Sequence, residues 1–336
     1  MSELDPIDPS RALKLFLADR KGNQSAATIQ SDRSRLSFFI EWLEDQGVDN
    51  LNDLTGRMVK EYQLDRREKT NWKPVTEKTQ MDTVRVFVRW AEGIEAVEAN
   101  LSDRVQSPDL DAGDNISNQE LNSSKATQML RYLEKYHYCT IHHVTLAVMW
   151  HTMCRRGAIR SLDVDDYDPR EEHLHFVHRP ETGTPLKNGA KGKRHVALGD
   201  RTCMVLDDYI DSTRPDVTDD HSRSPLIATV HGRRSLQSLR RYSYYWSSPC
   251  RAGECPHGRD PESCEAAEWM HSNKCPSSVS THPVRRGAVT YHLSNHVPES
   301  VVSEKMDVSL EVLREHYDER DSRSKMEQRR RYLDNI

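Results

Sequence analysis

The stretch Ser280-Thr281-His282-Pro283-Val284-Arg285-Arg286-Gly287 sets an imidazole and a guanidinium three residues apart where a helix is expected to begin. Proline suits the first helical position, and Val284, Ala288, Val289 and Leu293 continue an apolar helical spacing, so His282 is expected to cap the helix. Arg285 then falls in the first turn. There its guanidinium, the imidazole and the unpaired backbone N–H groups can converge on one anion, most naturally a phosphate. A capped helix with a surface arginine fits the same letters. A second arginine candidate is the pair Arg155-Arg156, which follows the apolar run Val144 to Trp150; charges placed there must face water, a partner or a ligand. Between these two sites, PETGTPLKNGAKGK carries Lys187, Lys191 and Lys193, with glycines at 183, 189 and 192 that free it to approach a partner. Tyr317 comes 32 residues after Arg285 and shares a helical face with Leu310 and Leu313, where a core tyrosine is the plain alternative.

The elements that would hold these groups are mostly helical. Leu13, Phe16 and Leu17 form one apolar stripe, and Ile29, Leu36, Phe39, Ile40 and Leu43 form another that Gly47 ends. A helix around Leu54 to Leu64 and one carrying Met81, Val84, Val88 and Ala91 complete an all-helical unit ending near residue 105. Residues 106–118, polar and rich in Asp, Ser and Asn, are expected to be a linker. Helices then dominate until Leu174, where residues 173–178 partly alternate and can pair with 194–198 as a small hairpin.

With 336 residues, 35% of them hydrophobic and 30% charged, the chain has room for two globular domains. No stretch approaches a membrane span, and the N-terminal residues lack the basic-then-apolar order of a signal peptide, which points to the cytoplasm. The formal net charge of −5 argues against nucleic acid only if it is spread evenly, and it is not. Aspartates cluster at 163–168 and 216–220, whereas Arg and Lys gather near 183–194, 233–241 and 329–331.

The order of these parts resembles the tyrosine recombinase, or phage-type integrase, family over nearly the whole chain. MCRRGAIRSL, TPLKNGAKGKRHVAL, HPVRRG and VLREHY carry the resemblance. Integrases of salt-adapted archaea are the nearest match, in keeping with an excess of Arg over Lys and of Asp over Glu. The resemblance implies a mainly α fold: an N-terminal helical, SAM-like core-binding domain over 1–105, the linker 106–118, and a mixed α+β catalytic domain over 119–336 with a small antiparallel sheet. It also implies double-stranded DNA as partner, the two domains clamping the duplex, and self-assembly into a tetrameric synapse. The chemistry it implies is tyrosine attack on a phosphodiester, giving a 3′-phosphotyrosyl bond and a free 5′-hydroxyl without metal or nucleotide.

Carried onto this sequence, the first arginine is Arg155, because apolar Ile159 and Leu162 stand four and seven beyond it, where Arg156 would meet Arg160 and Asp163. Lys187 is the implied acid for the leaving oxygen, with Lys191 and Lys193 as alternatives. His282 and Arg285 are the phosphate clamp, His282 a proton acceptor, and Tyr317 the nucleophile, with Tyr332 its rival. Two departures stand out. The family's acidic residue three beyond the first arginine is Ala158 here, and its histidine or tryptophan about nine before the tyrosine has no counterpart in residues 305–309. A DNA-binding protein of the same fold without strand transfer is therefore the alternative function.

Cys250, Cys255, Cys264 and Cys275 fall in an insert over 250–275 dense with Gly, Pro and charge, which cannot readily build its own hydrophobic core. One structural zinc is expected there, with His257 as a replacement ligand and reduced thiols as the alternative. A zinc-stabilised protein-interaction module is a third reading of function. Cys139, Cys154 and Cys203 sit in apolar surroundings and are expected in the core.

Overall fold

A computed structural model of the chain describes residues 4–111, 114, 119–318 and 320–330, the side chains at 324, 328 and 329 excepted. It divides into two compact units, Met1–Ser117 and Asn118–Ile336. The expected linker lies partly outside the described residues, and Tyr332 lies wholly outside them.

In the first unit, α1 (Pro9–Asp19), α2 (Ala26–Asp45), α3 (Gly56–Thr70) and α4 (Pro74–Gly93) enclose one core. Side chains cap the first three: Asp8, Ser25 and Thr55 each accept from a backbone N–H three residues on. The two apolar stripes face inward through Phe16, Leu17, Leu36, Phe39, Ile40 and Leu43. Gly47, at φ +75°, makes the left-handed turn that ends the second stripe.

The second unit is built around α6 (Ile141–Thr152), in which Val144 to Trp150 are all buried. A helix that is mostly apolar around its circumference must be surrounded. It packs against α5 (Ser123–Tyr136), α7 (Arg156–Ser161), α8 (Asp200–Asp208), α9 (Leu236–Ser247) and α10 (Thr281–Ser294). Three short helices follow: α11 (Glu299–Met306), α12 (Leu310–His316) and α13 (Ser322–Arg330). Cys139, Cys154 and Cys203 are buried thiols.

Strands are few and all antiparallel. In the hairpin, β2 (His173–Phe176) pairs with β3 (Arg194–Ala197), Leu174 opposite Val196 and Phe176 opposite Arg194. A third strand, β1 (Tyr167–Asp168), joins the far edge of β2, and β4 (Ala228–Thr229) pairs with β5 (Gly232–Arg233). The aspartate clusters find their cations here. Arg233 spans Asp163 and Asp219 from a nearly buried position, while Arg179 holds Asp166 and Arg223 holds Asp219. Much of the charge segregated in sequence is thus neutralised in space. No helix among the described residues is long and apolar enough to cross a membrane.

Candidate active site

The chain reaches Arg155 through a sharp turn. Met153, at φ +54°, stops α6 in the left-handed region, Cys154 is buried, and Arg155 is the extended N-cap of α7. This break turns one arginine of the pair aside from the other. Arg156 is partly buried, and burial, with Arg240 beside it, lowers its pKa. Arg155 instead points to the end of α11.

His282 is not the cap of α10. Ser280 is, so the helix starts two residues earlier than Pro283 suggests and His282 lies in its first turn. The whole first turn lacks intrahelical N–H partners, so a proline fits any of its positions, and its place alone does not set the register. The helix buries both arginines of HPVRRG, each 2% exposed. Gly287 lets it lie that deep. A β-carbon there would stand 1.8 Å from the Leu121 carbonyl oxygen, and the Leu121 N–H donates to the Pro283 carbonyl at 3.1 Å.

The end of α11 organises the arginines. Arg194 Nε donates to the Lys305 carbonyl at 2.9 Å, Arg285 Nη2 to the Met306 carbonyl at 2.7 Å, and Arg155 Nη1 to the Asp307 carbonyl at 2.9 Å. The last carbonyls of a helix have no internal donors and carry the negative end of its dipole, so three cations satisfy them in succession. Residues 305–309, where the family's histidine or tryptophan is missing, thus act here through their main chain. After this bond, Nε and Nη1 of Arg285 remain buried without a hydrogen-bond partner among the described residues. Burial pulls this guanidinium down to about 10, and Arg155 adds to the effect while Tyr317 opposes it. Buried donors left unmatched on a cation are costly and suit an anionic ligand.

Tyr317 closes the group. It follows α12 and is 6% exposed, its ring centroid 5.4 Å from the Arg285 guanidinium carbon and 5.9 Å from that of Arg286. The His282 ring lies 5.5 Å from it, tilted by 58°. Burial lowers the His282 pKa, and Arg285, Arg286 and Arg155 lower it further. Its neutral form is therefore favoured near neutral pH, as a proton acceptor requires.

Four of the five expected groups, Arg155, His282, Arg285 and Tyr317, come together in this way. Lys187, Lys191 and Lys193 are all exposed on the connection between β2 and β3. Sequence reasoning missed Arg194, Arg286, Asn188 and Asp307. Arg194, Arg286 and Asn188 sat inside quoted motifs, whereas nothing in the letters marked Asp307. The four insert cysteines and His257 line one small cavity, and burial raises the Cys250 thiol pKa, with Cys275 and Cys255 adding to it and Arg251 opposing. Among the described residues no three His, Cys, Asp or Glu side chains are grouped so as to hold a metal ion, so the expected zinc centre has no support here.

Neither a family model nor a curated protein matches the chain. Solved structures do. The Tn1549 transposon integrase in complex with a circular intermediate DNA is 13% identical, with 97% of this chain and 99% of that one covered at a TM-score of 0.66. A lambda integrase dimer bound to a COC′ core site is 13% identical over 94% of this chain and 100% of that one, at 0.62. The chain has the tyrosine recombinase fold. A lambda integrase tetramer bound to a Holliday junction shares it at 12% identity and a TM-score of 0.60, over 96% of this chain and 77% of that one. The likeness covers residues of both units, and the recombinase fold accounts for the mainly helical second unit with its small antiparallel sheet.

Proposed function

We propose that the protein is a site-specific DNA recombinase that cleaves and rejoins duplex DNA through a 3′-phosphotyrosyl intermediate, Tyr317 being the nucleophile. The observation that carries this reading is the convergence of Arg155, His282 and Arg285 about Tyr317 at the end of α11. A free tyrosine has a pKa of roughly 10, so attack at neutral pH needs a proton acceptor and cations around the phosphate. In the reading, Tyr317 Oη bonds to phosphorus as its proton passes to neutral His282, and the bond from phosphorus to the 5′-oxygen breaks. Arg155 and Arg285 balance the charge growing on the nonbridging oxygens, and each such donor contributes about a hundredfold or more in rate. Lys187, on the exposed connection between β2 and β3, protonates the departing 5′-oxygen. The phosphodiester energy is kept in the tyrosyl bond, so a 5′-hydroxyl from another strand reverses the step.

Met1–Ser117 serves in this reading as a DNA-binding domain, and subunits assemble on DNA for strand exchange. The test is a nicked suicide duplex, which loses its 5′-hydroxyl fragment and traps the adduct. Wild-type protein should give a denaturant-resistant complex and Tyr317→Phe none, with duplex binding retained. An adduct that persists in Tyr317→Phe removes the assignment. Salt-dependent duplex binding without any adduct in the wild type selects the alternative of a DNA-binding protein without strand transfer.

A further inference from the structure

Asp307 has no place in the chemistry described above, yet its carboxylate lies among the groups that do. It sits at φ +58° just past α11, a left-handed position usually given to glycine, which aspartate tolerates better than most residues. Its main-chain carbonyl accepts from Arg155 Nη1 at 2.9 Å and from Asn188 Nδ2 at 3.3 Å. Its side chain accepts from the same two residues, through Oδ2 from Arg155 Nη1 at 3.3 Å and through Oδ1 from Asn188 Nδ2 at 2.9 Å. Arg194 Nη1 stands 3.9 Å from Oδ2. The fit is close on the far side too: a β-carbon on Gly192 would come within 3.2 Å of Oδ2.

We infer that Asp307 is a positioning residue that holds Arg155 and the lysine-bearing connection in one arrangement. Resting on the recombinase reading, the inference names what replaces the acid missing at Ala158. The carboxylate engages the Nη1 corner of Arg155, and among the described residues no hydrogen bond takes up Nε or Nη2, which leaves them for a phosphate. Asn188 is the immediate neighbour of Lys187, so the bond to Asp307 pins the connection next to the proposed acid. One side chain therefore sets the distance between the cation on the nonbridging oxygens and the group serving the leaving oxygen. The effect of such a residue falls on the rate at saturation and not on affinity, because misplacement by about 1 Å can cost about a hundredfold in rate.

The experiment compares Asp307→Asn, which tolerates the backbone and loses the charge, with Asp307→Gly, which relieves the backbone and loses the side chain. Single-turnover cleavage of the nicked duplex at saturating DNA should fall about tenfold in Asp307→Asn and about a hundredfold in Asp307→Gly. The half-saturating DNA concentration should stay within about twofold of wild type. A substrate with a 5′-bridging sulfur, which leaves without protonation, should restore Asn188→Ala fully and Asp307→Gly only in part, since Arg155 stays unheld in the latter. Cleavage in Asp307→Asn as fast as wild type, or tighter DNA binding, would overturn the inference by making the carboxylate a competitor of the phosphate. A thermal-unfolding cycle reads the contact without any reaction: the shift caused by Asp307→Asn should shrink in an Arg155→Ala background, the contacts to Asn188 and Arg194 accounting for what remains. Additive shifts overturn the positioning role even where the wild type cleaves. Coupled shifts in a wild type that forms no adduct overturn the recombinase reading instead and leave the contact standing.

Discussion

Replacing Arg285 by methionine should stabilise the protein while abolishing its reaction. Burial pulls the guanidinium well below its ordinary value, to about 10. At about 1.4 kcal/mol per pH unit, the charged form is then about 3 kcal/mol less favourable in the folded chain than in water. Methionine fills much of the same volume with an adaptable chain and carries no charge. Against that gain, the Met306 carbonyl loses the Nη2 donor at 2.7 Å, at a cost of about 1 kcal/mol. The net expectation is a stabilisation of about 2 kcal/mol, or an upward shift of about 4–8 °C in the calorimetric transition of a unit this size. The same change removes the two buried donors, Nε and Nη1, that make no hydrogen bond among the described residues. Cleavage of the nicked duplex should accordingly drop by at least about a thousandfold. An unchanged or lowered transition would refute the claim that this cation is held at a cost. Adduct formation within about tenfold of wild type would refute its place on the phosphate.

Gly287→Ala should destabilise the fold by about 1–3 kcal/mol in chemical denaturation despite alanine's better helix propensity, because the new β-carbon meets the Leu121 main chain at 1.8 Å and neither backbone can yield cheaply; a stability equal to wild type would show that the helix is free to slide. Burial brings His142 and His151 down to about 4, so the unfolded chain takes up their protons below about pH 6.5 while the folded chain does not. Stability should be full above pH 6.5 and be lost as pH falls toward 4, by up to about 3 kcal/mol for each group, and the denaturation midpoint of His142→Phe should fall less between pH 7 and 5 than that of wild type. Lys187→Ala should cleave an ordinary duplex poorly and a 5′-bridging sulfur substrate well, whereas Arg155→Ala should be rescued by neither; rescue of Lys191→Ala in its place would move the acid to that residue.

What the sequence settles on its own is local and periodic. Apolar residues at helical spacing place Phe16, Leu36 and Phe39 on inward faces, and a nearly all-apolar run marks α6 as a helix enclosed by others. The strand pairing of 173–176 with 194–197 follows from alternation and from the glycine-rich connection between them. The order of arginine, lysines, His-x-x-Arg and tyrosine carries the family resemblance. These signals survive in one dimension because they depend on the repeat of a helix or strand and on chain order.

Other features depend on which distant backbone arrives next to which side chain. Which arginine of the pair Arg155-Arg156 reaches the end of α11 rests on the left-handed turn at Met153 and the carbonyl of Asp307, 152 residues away. The missing histidine or tryptophan reads as a deficit in the letters, yet residues 305–307 contribute through carbonyls, and a carbonyl has no letter of its own. Gly287 looks like an ordinary break in helix propensity until Leu121 is laid against it. The acidic clusters look like surface charge until Arg179, Arg223 and Arg233 close on them from other elements. The cysteine spacing suggested a metal centre, but a metal requires ligand atoms converging at fixed distances, and spacing along a chain does not specify that convergence. Sequence encodes which groups are available and how each element repeats; only the packed backbone decides which donors remain unmatched, and an unmatched buried donor is what can recognise a phosphate.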